Sequence, residues 1–181
     1  MNNVMVDLET LGNGSNSVII ALGAVEFDHA TGELGREFYE NIDAQSCVDF
    51  GLQMDVSTVM WWMQQSDEAR AAFKKSGVSL PVVLSGFERW LPHDAVVWGN
   101  GASFDNVILS NAYRKTHGEQ PWKFWNDRCY RTLKTLRPDI PFVRGGTHHN
   151  ALDDAKTQAV HAIAILQALE KSNGTDTRSE S

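Results

Sequence analysis

The chain is short of cations. Its Lys and Arg number 16 against 23 Asp and Glu, a net charge of −7. That balance argues against a protein that coats duplex nucleic acid through a broad basic surface. It leaves room for one that handles nucleic acid in a small cleft, with part of the negative charge held as site carboxylates that metal ions neutralise. Cysteine is nearly absent. Cys47 and Cys129 lie far apart, do not form a metal-ligand pair and read as reduced thiols. No apolar run reaches 18 residues, so no transmembrane helix or membrane partner is expected. Met1-Asn2-Asn3 lacks the basic and apolar regions of a secretory signal, which gives the expectation of a cytoplasmic protein. No internal repeat is visible.

With 181 residues, 42% of them apolar, the chain suits one well-buried domain over residues 1–170, followed by a small, polar and disordered tail at 171–181. Val4-Met5-Val6-Asp7-Leu8-Glu9-Thr10 reads as a strand. Alternate residues of a strand share a face, so Asp7 and Glu9 fall side by side while Val4, Val6 and Leu8 face the other layer. Taken alone, an Asp-x-Glu pair is a solvated acidic edge. With further carboxylates beside it, a divalent cation becomes the natural neutralising partner.

A turn-rich loop at 11–17 leads to a second strand over 18–27 and a third over 34–42, joined tightly enough for antiparallel pairing. Ser57 is expected to cap a helix at 58–65 and Ser66 another at 67–75. Pro81 opens a helix to about Leu91. Ala95 to Trp98 is a short buried strand, after which Ser103 is expected to cap a helix through Thr116. A short strand near 128–130, a helix from about Thr132, a loop over 137–147 and an Asn150-capped helix from Ala151 to about Glu170 complete the chain. This order predicts an α/β fold with a mixed β-sheet flanked by helices. Sites in such sheets gather at the carboxyl ends of strands. That places Asp7 and Glu9, Asp105 after the fourth strand, and His149 and Asp154 at the last helix within possible reach of one another.

Asp7-x-Glu9, Phe104-Asp105 and His149-x-Ala151-x-x-Asp154 together resemble the three motifs of the DEDDh 3′→5′ exonucleases. Ser57 to Trp62, Gln65-Ser66-x-x-Ala69-Arg70 and Lys123-Phe124-Trp125-Asn126-x-Arg128 further resemble the DexA-type phage enzymes and their ribonuclease-T-like bacterial cousins. The resemblance implies a ribonuclease-H-like fold and two divalent ions, Mg²⁺ or Mn²⁺. It implies that Asp7, Glu9 and Asp154 bind one metal, that Asp7 also binds the second with support from Asp105, and that His149 deprotonates water. It also implies single-stranded 3′ ends as substrate, DNA ahead of RNA. Exoribonuclease action, including on short oligoribonucleotides, and a catalytically silent binding module are the alternatives. A homodimer is a further expectation, since several relatives dimerise.

Glu9, Thr10, Leu11, Phe104, Trp61, Trp62 and Arg128 are the candidates for holding substrate. Trp61 and Trp62 are adjacent, so they cannot share a helix face; one belongs to the core and the other is available to stack on a base. Motif spacing selects His149 over His148 as the base. Arg131-Thr132 stands where many relatives carry Asp-Thr or Asp-Ser. The whole reading demands that the start of the last helix lie beside the end of the first strand.

Overall fold

The computed structural model describes residues 1–70, 73, 76–101, 103–146 and 149–176, with side chains as far as Ser172. β1 (Asn3–Thr10), β2 (Ile19–Asp28) and β3 (Glu33–Asn41) form an antiparallel meander; β4 (Val96–Gly99) and β5 (Asp127–Cys129) run parallel to β1. The sheet order is β3-β2-β1-β4-β5, the expected mixed sheet.

Among the described residues the helices are α1 (Ala44–Asp49), α2 (Val56–Met63), α3 (Leu80–Trp90), α4 (Asp105–Thr116), α5 (Tyr130–Leu133) and α6 (Ala151–Asp176). One face of the sheet, with Val4, Val6 and Leu8, buries against α3 and α4 through Leu84, Phe87, Ile108 and Leu109. The other, with Met5, Val25 and Phe27, buries against α6. The contact stripe of α6 is made of Ala155, Ala159 and Ala162, whose small side chains bring the helix axis close to the strands.

Several boundaries differ from the sequence expectation. Asp55, not Ser57, caps α2, its carboxylate accepting from Ser57 N at 2.9 Å; an ionised acceptor is the stronger cap. Ser103 does not cap α4: that helix begins at Asp105 with Phe104 at the cap position and no side-chain cap bond. α1 is an unexpected helix, too short to show a periodic stripe, capped by Asp43. α5 begins at Tyr130 rather than Thr132, and Cys129 Sγ accepts from Thr132 N. Ser66 Oγ does accept from Ala69 N, but residues 71, 72, 74 and 75 of the helix expected there lie outside the described residues. α6 continues past Glu170; of the expected tail, residues 177–181 lie outside the described residues.

β1 pairs with β4 only as far as Met5 opposite Trp98. Asp7 and Glu9 therefore project beyond the end of β4, at the carboxyl edge of the parallel strands. A register shift follows directly after Glu9, a common irregularity beside functional sites. Opposite Asp7 stands Gly23. A Cβ there would land on the backbone of Ala151 and Leu152, so its absence lets the first turn of α6 rest on β2 next to the β1 carboxylates. Among the described residues no helix is long and apolar enough to cross a membrane.

Candidate active site

Asn150 Oδ1 accepts from Leu152 N and Asp153 N, both at 3.1 Å, and starts α6 over Gly23. One residue earlier, His149 takes φ of 60°, a left-handed conformation uncommon outside glycine and frequent at functional positions. That backbone aims the His149 N–H at Asp154 Oδ2, 3.1 Å away. Its ring meets Trp61 edge-on at 5.0 Å between centroids and Trp62 at 5.7 Å.

The demanded juxtaposition is met. Ligand atoms of Glu9, His149 and Asp154 all lie within 4.8 Å of one another. They line a cleft of about 660 Å³ together with Asp7. Asp7 stands outside that tightest trio, with its Oδ1 accepting from Gln158 Nε2 at 2.7 Å.

Asp105 is placed differently from the others. It is 1% exposed and does not line the cleft. Its two oxygens accept from Leu8 N at 3.1 Å and Asn100 N at 2.7 Å, tying β1 to the loop after β4. Each such bond to an ionised acceptor is worth roughly 1.5–3 kcal/mol, and losing the acceptor strands a buried N–H. Asp105→Ala is therefore expected to cost about 2–4 kcal/mol of stability, read by urea unfolding. A loss below about 1 kcal/mol would mean that Asp105 does not anchor β1.

Burial raises Asp7, Glu9 and Asp105, and repulsion from neighbouring acids adds to it at Asp7 and Glu9. Asp7 lies well above the usual carboxylate range through burial and the charges of Asp105, Glu9 and Asp154. Glu9 is pushed up to about 8 by burial, then by Asp154 and Asp105. Burial lifts Asp105 to about 6 against the pull of its backbone N–H bonds and of Arg131. Such a set is under-neutralised by the protein's own cations. The carboxylate oxygens of Asp7, Glu9 and Asp154 form a hard donor set that suits a Mg²⁺- or Mn²⁺-sized ion. Among the described residues Asn100 Oδ1 and Gln158 Oε1 are buried without a hydrogen-bond partner, and both residues line the cleft. Water held on a cation would satisfy such acceptors.

The titration has a consequence for stability. In the unfolded chain Glu9 loses its proton near 4.5; in the fold it keeps it to about 8. Between those values the native state binds more protons, so metal-free stability falls as pH rises. The melting temperature in chelator is expected to drop from pH 5 to 8, Glu9→Gln to flatten that slope, and added metal to oppose it, because a dication favours the ionised form. A melting temperature that climbs over this range in chelator would contradict the assignment.

The substrate candidates divide. Trp62 is the core tryptophan, 3% exposed, with its indole N–H donating to Thr10 O at 2.8 Å. Trp61 is 42% exposed and stands on the cleft wall. Thr10 and Phe104 also line the cleft. Leu11 is buried in the core behind Trp62, away from it. Arg128 lies outside the cleft, its Nη1 donating to Trp125 O and Asp127 O, both at 2.9 Å. Arg131 lines a second groove, which shares Asn13 and Phe104 with the cleft.

Sequence reasoning missed Arg144, Lys134, Gln158 and Tyr130, all in the cleft wall. For Gln158 a signal existed: it lies one turn beyond Asp154 and so shares its face of α6. Arg144 sits in a loop, where no periodicity points to it.

Residues 2–166 match the family described as 3'-5' exoribonuclease Rv2179c-like domain. The exodeoxyribonuclease of Enterobacteria phage T4 is 28% identical over 160 residues, covering 73% of this chain and 70% of that protein. Among solved structures, the nuclease domain of 3'hExo, a DEDDh family member bound to rAMP, aligns with a TM-score of 0.59 at 15% identity over 92% of each chain. Exonuclease X in complex with 5′ overhanging duplex DNA gives 0.57 at 17% identity, again over 92% of each. E. coli Exonuclease I in complex with a dT13 oligonucleotide gives 0.62 at 15% identity over 97% of this chain and 42% of that one. These structural likenesses carry the fold, a ribonuclease-H-like sheet with its helices.

Proposed function

The chain belongs to the family of 3'-5' exoribonuclease Rv2179c-like domains and is a 3′→5′ exonuclease; from that premise we propose that it hydrolyses the terminal phosphodiester of single-stranded 3′ ends, releasing 5′-mononucleotides, with two divalent ions, Mg²⁺ or Mn²⁺. The convergence of Glu9, His149 and Asp154 within 4.8 Å carries this reading. Asp7, Glu9 and Asp154 would hold the ions. When bound, such ions activate water and stabilise the attacking and leaving oxygens of a phosphodiester.

The remaining chemistry belongs to this chain's side chains. His149 takes the proton of the attacking water, a contribution of typically ~10²–10⁴-fold. Its strained backbone and the edges of Trp61 and Trp62 hold the ring over the cleft. Glu9 accepts from the terminal 3′-hydroxyl, which restricts cutting to chain ends. Trp61 and Phe104 present aromatic faces to the last bases, where stacking is worth ~1–3 kcal/mol per base. Asp105 holds β1 and the loop after β4 at a fixed spacing beneath the carboxylates.

DNA is the proposed strand, supported by 28% identity to the phage exodeoxyribonuclease. RNA is the second reading, favoured by the description of the family itself. The choice turns on how the cleft receives a 2′-hydroxyl. Matched 5′-labelled DNA and RNA strands, with Mn²⁺, separate the two: faster shortening of DNA supports the proposal and faster shortening of RNA reverses it. Cleavage of a strand with a blocked 3′ end would contradict exonuclease action on either.

A further inference from the structure

Asp154, a proposed metal ligand, is paired with a cation of this chain. Its Oδ2 accepts from the His149 backbone N–H, and its Oδ1 from Arg144 Nη1 at 2.6 Å. The Asp154 side chain is 13% exposed, that of Arg144 43%. The His149 N–H is fixed by its backbone. Arg144 is the partner able to move.

The base of Arg144 is nonetheless firmly set. Gly145 N–H donates to Thr157 Oγ1 at 3.3 Å, and its carbonyl lies 3.2 Å from the same hydroxyl, whose single proton it shares with Asp153 O at 2.8 Å. On the other side Ile140 O lies 3.1 Å from His161 Nε2, while Tyr130 OH is 2.7 Å from His161 Nδ1. Phe142 packs edge-on against the His161 ring and lies under the guanidinium of Arg144, 5.6 Å from its centroid. Asp154, Thr157 and His161 follow one face of α6. The loop is thus stapled to the same helix face that carries Asp154, while the Arg144 side chain itself is 43% exposed.

We propose that Arg144 is an exchangeable counter-ion. It neutralises Asp154 while the carboxylates hold no metal. It would release Asp154 when that carboxylate takes up a metal ion, and then take a phosphate oxygen of the 3′-terminal nucleotide. The inference rests on the exonuclease reading and adds to it a residue that senses the metal and holds the substrate. Two positive charges on one carboxylate oxygen repel, so the exchange is driven. The freed guanidinium stays at the cleft because its loop and the Phe142 ring keep it there. A planar fork of donors is well suited to a phosphate. The neighbouring cation of the cleft wall, Lys134, stands over the Tyr130 ring at 5.6 Å and makes no ion pair with Asp154.

Calorimetric titration of metal-free protein with Mn²⁺, followed by dAMP, reads both halves without turnover. Arg144→Gln is expected to bind Mn²⁺ tighter, by roughly two- to fivefold, the value of a partly exposed ion pair. It is expected to bind dAMP about tenfold or more weakly once Mn²⁺ is present. Arg144→Lys should keep metal affinity near wild type and recover part of the dAMP affinity. If Arg144→Gln leaves Mn²⁺ binding unchanged or weakens it, or leaves dAMP binding unchanged, the exchange is overturned while the exonuclease reading stands. If wild type takes up no Mn²⁺ at all, both fall together.

Discussion

Asp7→Asn is expected to stabilise the metal-free protein above pH 7 and to reduce turnover by about three orders of magnitude. The two effects have one origin. The Asp7 carboxyl is buried among three other acids and is costly to ionise there. An amide of the same shape removes that cost, and its oxygen still accepts from Gln158 Nε2. What it no longer offers is the charge of the metal ligand proposed for Asp7. Charge stabilisation by a bound metal is worth several kcal/mol in the transition state, and each 1.36 kcal/mol is about a factor of ten in rate. A melting curve in chelator and a single-turnover assay on a labelled strand check both signs. A variant that melts lower than wild type in chelator at pH 8, or that keeps more than about a tenth of the rate, would remove Asp7 from the metal site.

Gly23→Ala is expected to damage fold and site together. The added methyl group has no space: it meets the backbone of Ala151 and Leu152, which cannot turn aside as a side chain can. Overpacking typically costs ~1–3 kcal/mol and more where backbone must move. The first turn of α6 lifts from β2, and it carries Asp154 and, just ahead of it, His149. Mn²⁺ affinity and melting temperature should fall in parallel, unlike in Asp7→Asn. Equal Mn²⁺ affinity in Gly23→Ala and wild type would mean that this close approach does not set the carboxylate spacing.

The parts of the site that were legible before the structure are those with a local period. Asp7 and Glu9 share a strand face by alternation, and Val4, Val6 and Leu8 do bury on the opposite one. Asn150 announces the start of α6 by its capping chemistry. Choosing between Trp61 and Trp62 needed a partner distant in sequence, the Thr10 carbonyl. Asp105 falls just after Ser103, the expected helix cap, yet its oxygens turn back to two backbone amides, one of them on β1. That fold-back is a tertiary choice that no helix rule contains. Gly23 looked like any small residue within a strand until α6 was seen lying on it. Arg144 escaped because an arginine in a glycine-rich loop has no intrinsic direction; three side chains of α6 and one aromatic ring give it one.

The central claim is that these carboxylates and His149 strip nucleotides from a 3′ end with bound metal. It is tested most directly by a 5′-labelled single strand incubated with wild-type protein and Mn²⁺, beside a chelated control and Asp7→Asn. The expected result is a ladder of products shortening one nucleotide at a time, with mononucleotide released, absent in both controls. A full-length strand persisting with wild type and Mn²⁺, or an equal ladder from Asp7→Asn, would contradict it.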